Sequence, residues 1–193
     1  MIMRKPSAKV RERIGLTGGL TAAVEPMPFS LLDEPLSYIF ADHFRQRAVC
    51  QILRRFADQR RATRAEADSV AAFLTDDLAA HHRDEAEDLF PLVRRRALPA
   101  DDLGPVLASL GEDSRRSEDI IDGIVAALAG RPEEDPVVLN KASCELMHTY
   151  AAAEHRHLAI ENGVVLAIDR VRLKRSDLEN MSVNMKARRG VSH

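Results

Sequence analysis

His81 and Glu85 stand four residues apart, and so do His157 and Glu161. On an α-helix that spacing stacks two side chains one turn apart on a single face. His43 falls at a matching depth of another segment, and Ser114 with Glu118 repeat the four-residue spacing on a fourth. Each of these residues interrupts an otherwise apolar stripe. A carboxylate in an apolar core costs free energy unless it is paired or bound to a cation. Two carboxylates facing three imidazoles therefore call for something positive between them. Imidazole nitrogen together with carboxylate oxygen suits iron, zinc or manganese, and a carboxylate can bridge two ions. Any one of these histidines alone is more often a hydrogen-bonded core residue. The conjunction of His43, His81, Glu85, His157 and Glu161 favours a metal site.

The remaining histidines do not join that pattern. His82 lies about 100° around the helix from His81, facing solvent or a helix seam. His148 and His155 share a different face of their segment, and His193 ends the chain.

The elements that must position these residues are helical. The 193 residues contain 27 Ala and 21 Leu but only 6 Phe, 2 Tyr and no Trp, and runs of β-branched residues are absent. The first segment runs from about Leu32 to Asp58, with Pro35 in its first turn and the stripe Leu36, Ile39, His43, Val49/Cys50, Leu53, Phe56. The second runs from about Thr63 to Leu92, with Val70, Leu74, Leu78, His81, Glu85, Leu89 and Leu92 on one face; Pro91 is expected to bend or end it. The third starts after Asp101 and reaches Leu128 through Leu103, Leu107, Leu110, Ser114, Glu118, Ile121 and Val125. The fourth spans about Pro136 to Arg170, carrying Leu139, Ala142, Leu146, Ala153, His157, Glu161, Val164 and Ile168.

A fifth, shorter helix begins at Ser176, with Glu179 as a capping-box partner, carries Leu178, Met181 and Met185, and stops before Gly190. Short connections between long amphipathic helices predict an all-α fold: an antiparallel up-down-up-down four-helix bundle with a short additional C-terminal helix. The organisation expected is a flexible basic arm over residues 1–30, the bundle over 31–170, and an amphipathic helix and tail over 171–193.

Composition excludes several classes. Hydrophobic residues make up 45% and charged residues 30%, as in solvated globular chains. No run approaches the length of a membrane span, and a net charge of −2 gives no drive toward nucleic acid. Two cysteines, Cys50 and Cys144, cannot build a disulfide framework or a four-thiolate zinc site. The N-terminus lacks an apolar region before a small-residue cleavage site, so a cytoplasmic location with free thiols is expected. Lys174, Arg175, Lys186, Arg188 and Arg189 flank the last apolar face, which packs on the bundle or mediates dimerisation or a protein contact.

The segments Ala41-Asp42-His43, His81-His82-Arg83-Asp84-Glu85 running into Leu89-Phe90-Pro91, and Glu154-His155-Arg156-His157-Leu158-Ala159-Ile160-Glu161-Asn162 resemble the hemerythrin-like (HHE cation-binding) domain family. The resemblance covers about residues 32–170. It implies an antiparallel four-helix bundle around a non-haem di-iron centre. His43, His81 and His157 would be terminal ligands, with Glu85 and Glu161 as bridging carboxylates. The departure is on the third segment, where the family offers a histidine and this chain has Ser114. Glu118, one turn further, is the candidate replacement; Asp113 could reach in from a rotated helix, and otherwise water fills the position.

The function that the resemblance implies is reversible binding of dioxygen or another diatomic such as nitric oxide, or sensing of iron or redox state. Iron is the expected metal, with another divalent ion as the alternative. A metal-free interaction module is the second reading. A di-iron oxidase is the third, but oxidases of that kind carry two Glu-x-x-His motifs, and this chain holds one, Glu154 to His157. The balance is toward a binding protein rather than an enzyme.

Overall fold

The computed structural model describes residues 24–131 and 133–191. Most of the expected N-terminal arm, and His193, therefore lie outside the described residues. Four helical rods and a fifth helix account for nearly everything else. The first rod is α1 (Pro35–Gln59), which opens with Pro35 in its first turn, where a missing N–H costs nothing. It closes where Arg60 turns left-handed at φ 53°. A two-residue strand, β1 (Arg61–Ala62), follows. The second rod starts at Thr63, whose hydroxyl accepts from Glu66 N–H while the Glu66 carboxylate accepts from Thr63 N–H.

That second rod is α2 (Arg64–Ala72), α3 (Leu78–Arg83) and α4 (Phe90–Arg96), joined by single π-helical turns at Phe73–Asp77 and Asp84–Leu89. Of the two outcomes expected at Pro91, a bend or an end, the helix does not end there: it continues to Arg96. The reason is the wide turn before it. The Phe90 N–H already reaches back to the Glu85 carbonyl, five residues away, so Pro91 falls in a first turn where no donor is required.

The third rod is α5 (Gly104–Ala129). The fourth begins later than its sequence pattern predicts, because β2 (Val137–Val138) pairs antiparallel with β1 in the register Arg61↔Val138 and Ala62↔Val137. Asn140 then caps α6 (Lys141–Ile160) by accepting from Ser143 N–H at 2.9 Å. A π turn at Glu161–Val165 leads into α7 (Leu166–Arg172), and α8 (Arg175–Arg188) follows after a break. The cap of α8 is Asp177 accepting from Lys174 N–H; Glu179 pairs with Arg175 on the surface instead.

Two apolar cores form, one toward each end of the rods. The first gathers Leu53 and Phe56 of α1, Val70 of α2, Leu78 of α3, Ile124 and Leu128 of α5, and Met147 and Ala151 of α6. The second gathers Leu36 and Ile39 of α1, Leu89 and Val93, Leu107 and Leu110 of α5, and Val165 and Leu166. Every rod crosses from one core to the other through a short polar stretch: Asp42 to Gln46, His81 to Glu85, Ser114 to Ser117, and Glu154 to Glu161. The polar layer between two apolar layers is where the candidate ligands sit.

Helix α8 closes the second core. Met181 and Met185 are fully buried in it. Of the cations that flank this apolar face in the sequence, Arg175, Lys186, Arg188 and Arg189 are paired within the chain. Arg188 donates to Asp84 at 2.7 Å and also contacts Glu87 and Asp88, while Arg189 donates to Asp84 at 2.6 Å and to the Tyr38 hydroxyl. Arg95 and Arg96 bind Asp177 from the second rod.

The hydrogen bond from Arg96, with help from the Lys174 N–H and Arg95, holds the Asp177 carboxyl well below the usual carboxylate range. Its folded value lies below its unfolded one, so its contribution is complete above about pH 4 and fades as the pH falls beneath that. Asp177→Asn should lower the melting temperature by a few degrees at pH 7. The difference from the unaltered protein should shrink when the same melts are run below about pH 4.

Candidate metal centre

Four of the predicted site residues meet in the polar layer. His43 from α1, His81 and Glu85 from the second rod, and Glu161 from the fourth each offer one ligand atom, all within 4.8 Å of one another. None is more than 1% exposed. His81 Nε2 lies 2.6 Å from Glu85 Oε1, and His43 Nε2 lies 3.3 Å from Glu161 Oε2 and 3.9 Å from Glu85 Oε1. None of these contacts has the alignment of a hydrogen bond. His43 Nε2, His81 Nε2 and all four carboxylate oxygens are left with no hydrogen-bond partner.

Neighbouring residues fix which ring nitrogens face inward. Asn162 donates its amide N–H to the Leu158 carbonyl at 2.7 Å, which turns its Oδ1 toward His43 Nδ1 at 2.9 Å. An acceptor at that distance places the ring proton on Nδ1 and leaves the Nε2 lone pair pointing into the cluster. Asp42 stands behind His81 in the corresponding place, with Oδ2 3.0 Å from Nδ1, an ion-pair contact without the alignment of a hydrogen bond. Burial works against ionising Asp42, yet His81 and Arg45 hold its carboxyl at about 2. A carboxylate or amide behind each imidazole is the arrangement that orients metal-binding histidines.

The electrostatics are those of anions in need of a cation. Burial alone would push His43 down, but the Glu161 and Glu85 carboxylates raise it to about 9. His81 is raised well above its ordinary range by Glu85 and Asp42 against the same burial effect. Glu85 is held well below its ordinary range, chiefly by His81, although burial opposes this. Two protons or a metal ion can satisfy this balance, and an ion binds by displacing the protons.

Both carboxylates lie in wide turns. Glu85 lies in the π turn Asp84–Leu89 and Glu161 begins the π turn Glu161–Val165. Such turns concentrate at functional sites.

The other two predicted ligands fare differently. His157 is buried beside the cluster, with Nε2 3.6 Å from Glu161 Oε2, and the nearby carboxylates raise it to about 9 against the effect of burial. Glu118 is exposed and is not brought into the cluster. The buried residues of α5 include Ser117, and Glu118 lies about 100° around the helix from it. At this level the third rod presents the Ser114 and Ser117 hydroxyls, with the half-buried Asp113 and the exposed Glu118 at the walls of two cavities. Ser114 donates to the Leu110 carbonyl and Ser117 to the Ser114 carbonyl. Small side chains there leave two cavities. One of about 530 Å³ reaches Glu85, one of about 190 Å³ reaches His157 and Glu154, and His82 and Ser114 line both.

Sequence reasoning missed Asp42 and Asn162 as supports, although each is the immediate chain neighbour of a candidate ligand. Glu154 is read from the sequence only as the start of a lone Glu-x-x-His motif, and Asp169, the other buried acid outside the cluster on the fourth rod, is missed. The acids Glu154, Glu161 and Asp169, seven and eight residues apart and so on one helix face, are the available signal.

An all-α chain whose central layer gathers buried imidazoles and carboxylates belongs to the class of helical metal-binding domains. The description "Hemerythrin HHE cation binding domain" matches residues 34–168, and the chain belongs to that family. No curated protein and no solved structure matches it.

Asp169 is fully buried with neither oxygen hydrogen-bonded; burial, and then the Glu161 charge, push its carboxyl up to about 8. Between about pH 4 and that value the folded chain keeps a proton that the unfolded chain releases, so this group costs stability as the pH rises. In chelator-treated protein, Asp169→Asn should raise the melting temperature by several degrees at pH 8 and leave it unchanged near pH 4.

Proposed function

We propose that this chain is a hemerythrin-like protein whose helical core holds non-haem iron, two ions when filled, and that it binds dioxygen or another diatomic or reports on iron and redox state. The observation that carries this reading is the set of six buried, unpartnered ligand atoms on His43, His81, Glu85 and Glu161. Leaving such atoms unsatisfied in an apolar core is expensive, and a divalent cation removes the whole cost at once. Mixed nitrogen and oxygen donors suit iron among the available metals.

In this reading His43, His81 and His157 are terminal ligands, and Glu85 and Glu161 bridge. Ferrous iron, when bound, supplies reversible coordination of a small ligand and one-electron redox chemistry. The residues do the rest. Asp42 and Asn162 hold two imidazoles in register. The apolar cores on either side keep bulk water from the centre. The cavities beside the third rod give a small molecule a way in, next to Ser114 and Ser117, whose hydroxyls already donate to their own helix.

The unit proposed for this work is residues 31–170, with its rods running antiparallel, up-down-up-down. The support is that each core draws on the end of one rod and the start of the next. The C-terminal unit proposed, residues 171–193, contains α8, which straps the second core through Met181 and Met185. Because Met181, Met185, Arg188 and Arg189 are all engaged within the chain, the reading as a metal-free docking module has few free parts to work with among the described residues. A cytoplasmic setting is proposed on the buried free thiols Cys50 and Cys144.

Metal analysis of the purified protein tests the reading. About two irons per chain are expected after anaerobic reconstitution, and Glu85→Ala should reduce the content to background. Failure of the unaltered chain to retain any iron would overturn it.

A further inference from the structure

Of the two ions in that reading, the one beside His43 and His81 has two imidazoles and two carboxylates at hand. The one beside His157 has a single imidazole, and the third rod buries no charged side chain at its level: Asp113 lines the 190 Å³ cavity but is only half-buried. Glu118 is exposed, and the Ser114 and Ser117 hydroxyls donate to carbonyls of their own helix. Something else must complete that side if it is to hold an ion.

Glu154 occupies the required place. Glu154, His157 and Glu161 follow one another at three and four residues along the fourth rod, so all three share one face. Glu154 is 5% exposed, and its buried Oε1 has no hydrogen-bond partner. It lines the 190 Å³ cavity together with His157, Ser114 and Ser117. After burial, which raises its carboxyl, the charges it feels most are those of His157, Glu85, His81 and Glu161, the members of the centre itself. Asp169 is the other buried acid with unpartnered oxygens on this rod, but it does not line the cavity. His82 does line it, yet is only half-buried.

We infer that Glu154 is the metal ligand that replaces the missing third-rod histidine, so that His157 and Glu154 hold the second ion against the Glu85 and Glu161 bridges. The inference rests on the metal-binding reading above. A glutamate three residues before a histidine is the pairing by which carboxylate-rich di-iron bundles present two ligands from one helix. The resulting centre is asymmetric. Its first position carries two nitrogens, while its second carries one nitrogen and more oxygen, a harder donor set that favours hard ions and holds ferrous iron less tightly.

Anaerobic titration of chelator-stripped protein with ferrous ion alone tests this. The unaltered chain should bind about two ions per chain, the second more weakly than the first. Glu154→Gln should bind one, with its affinity within about threefold of the original first site, and adding Ser114→His to that variant should restore the second. His82→Ala should keep two. Two undiminished sites in Glu154→Gln, or loss of the second site in His82→Ala instead, would overturn the inference. If Glu154→Gln does not fold, Ser114→His alone decides. A count already at two and unchanged supports Glu154, whereas a rise from one to two shows that the position was unfilled. A chain that binds no ferrous ion at all would sink the metal-binding reading itself, which is a separate outcome.

Discussion

Two buried glutamates, Glu85 and Glu161, set the terms for this molecule. They lie in a layer between two apolar cores, each with both oxygens unpaired by hydrogen bonds. Burying a carboxylate there is tolerable only with opposite charge close by. His43, His81 and His157 can carry that charge as protonated imidazoles, but only by competing with burial, which pushes each of them toward neutrality. A metal ion resolves both conflicts, since it neutralises the carboxylates and leaves the imidazoles in the neutral form that burial prefers.

Much of the surrounding structure makes sense as support for that layer. Asp42 and Asn162 stand behind the imidazoles on the far side from the carboxylates, fixing their inward nitrogens. The π turns place Glu85 and Glu161 at wide points of their rods. Arg188 and Arg189 of α8 grip Asp84, the residue before Glu85, so the strap across the second core also anchors the turn that carries a central carboxylate. On the third rod, by contrast, small residues face the layer, and cavities rather than ligands meet the centre.

The helical pattern and the inward histidines were legible because period and spacing survive in a single sequence. The apolar stripes of α1 and the second rod map onto the cores nearly residue for residue. What escaped has a physical explanation in each case. A π turn shifts the register by one residue, and nothing in Asp84–Leu89 announces it, so from sequence Pro91 reads as a bend or an end. Glu118 was assigned inward by counting fours from Leu110, whereas the helix buries Ser117. Asp42 and Asn162 act from residues adjacent to the ligands, about 100° off the stripe, where a periodicity argument does not look. The partners of Arg188 cannot be seen from its local sequence, because Asp84 and Asp88 lie about a hundred residues away.

The central claim is that this polar layer is built to be neutralised by a metal ion. Thermal unfolding of the chelator-stripped chain, with and without ferrous ion under anaerobic conditions, measures it directly. A ligand that binds only the folded state raises the melting temperature as its concentration increases, and that rise is the result the account predicts. An unchanged melting temperature at saturating ferrous ion would contradict it.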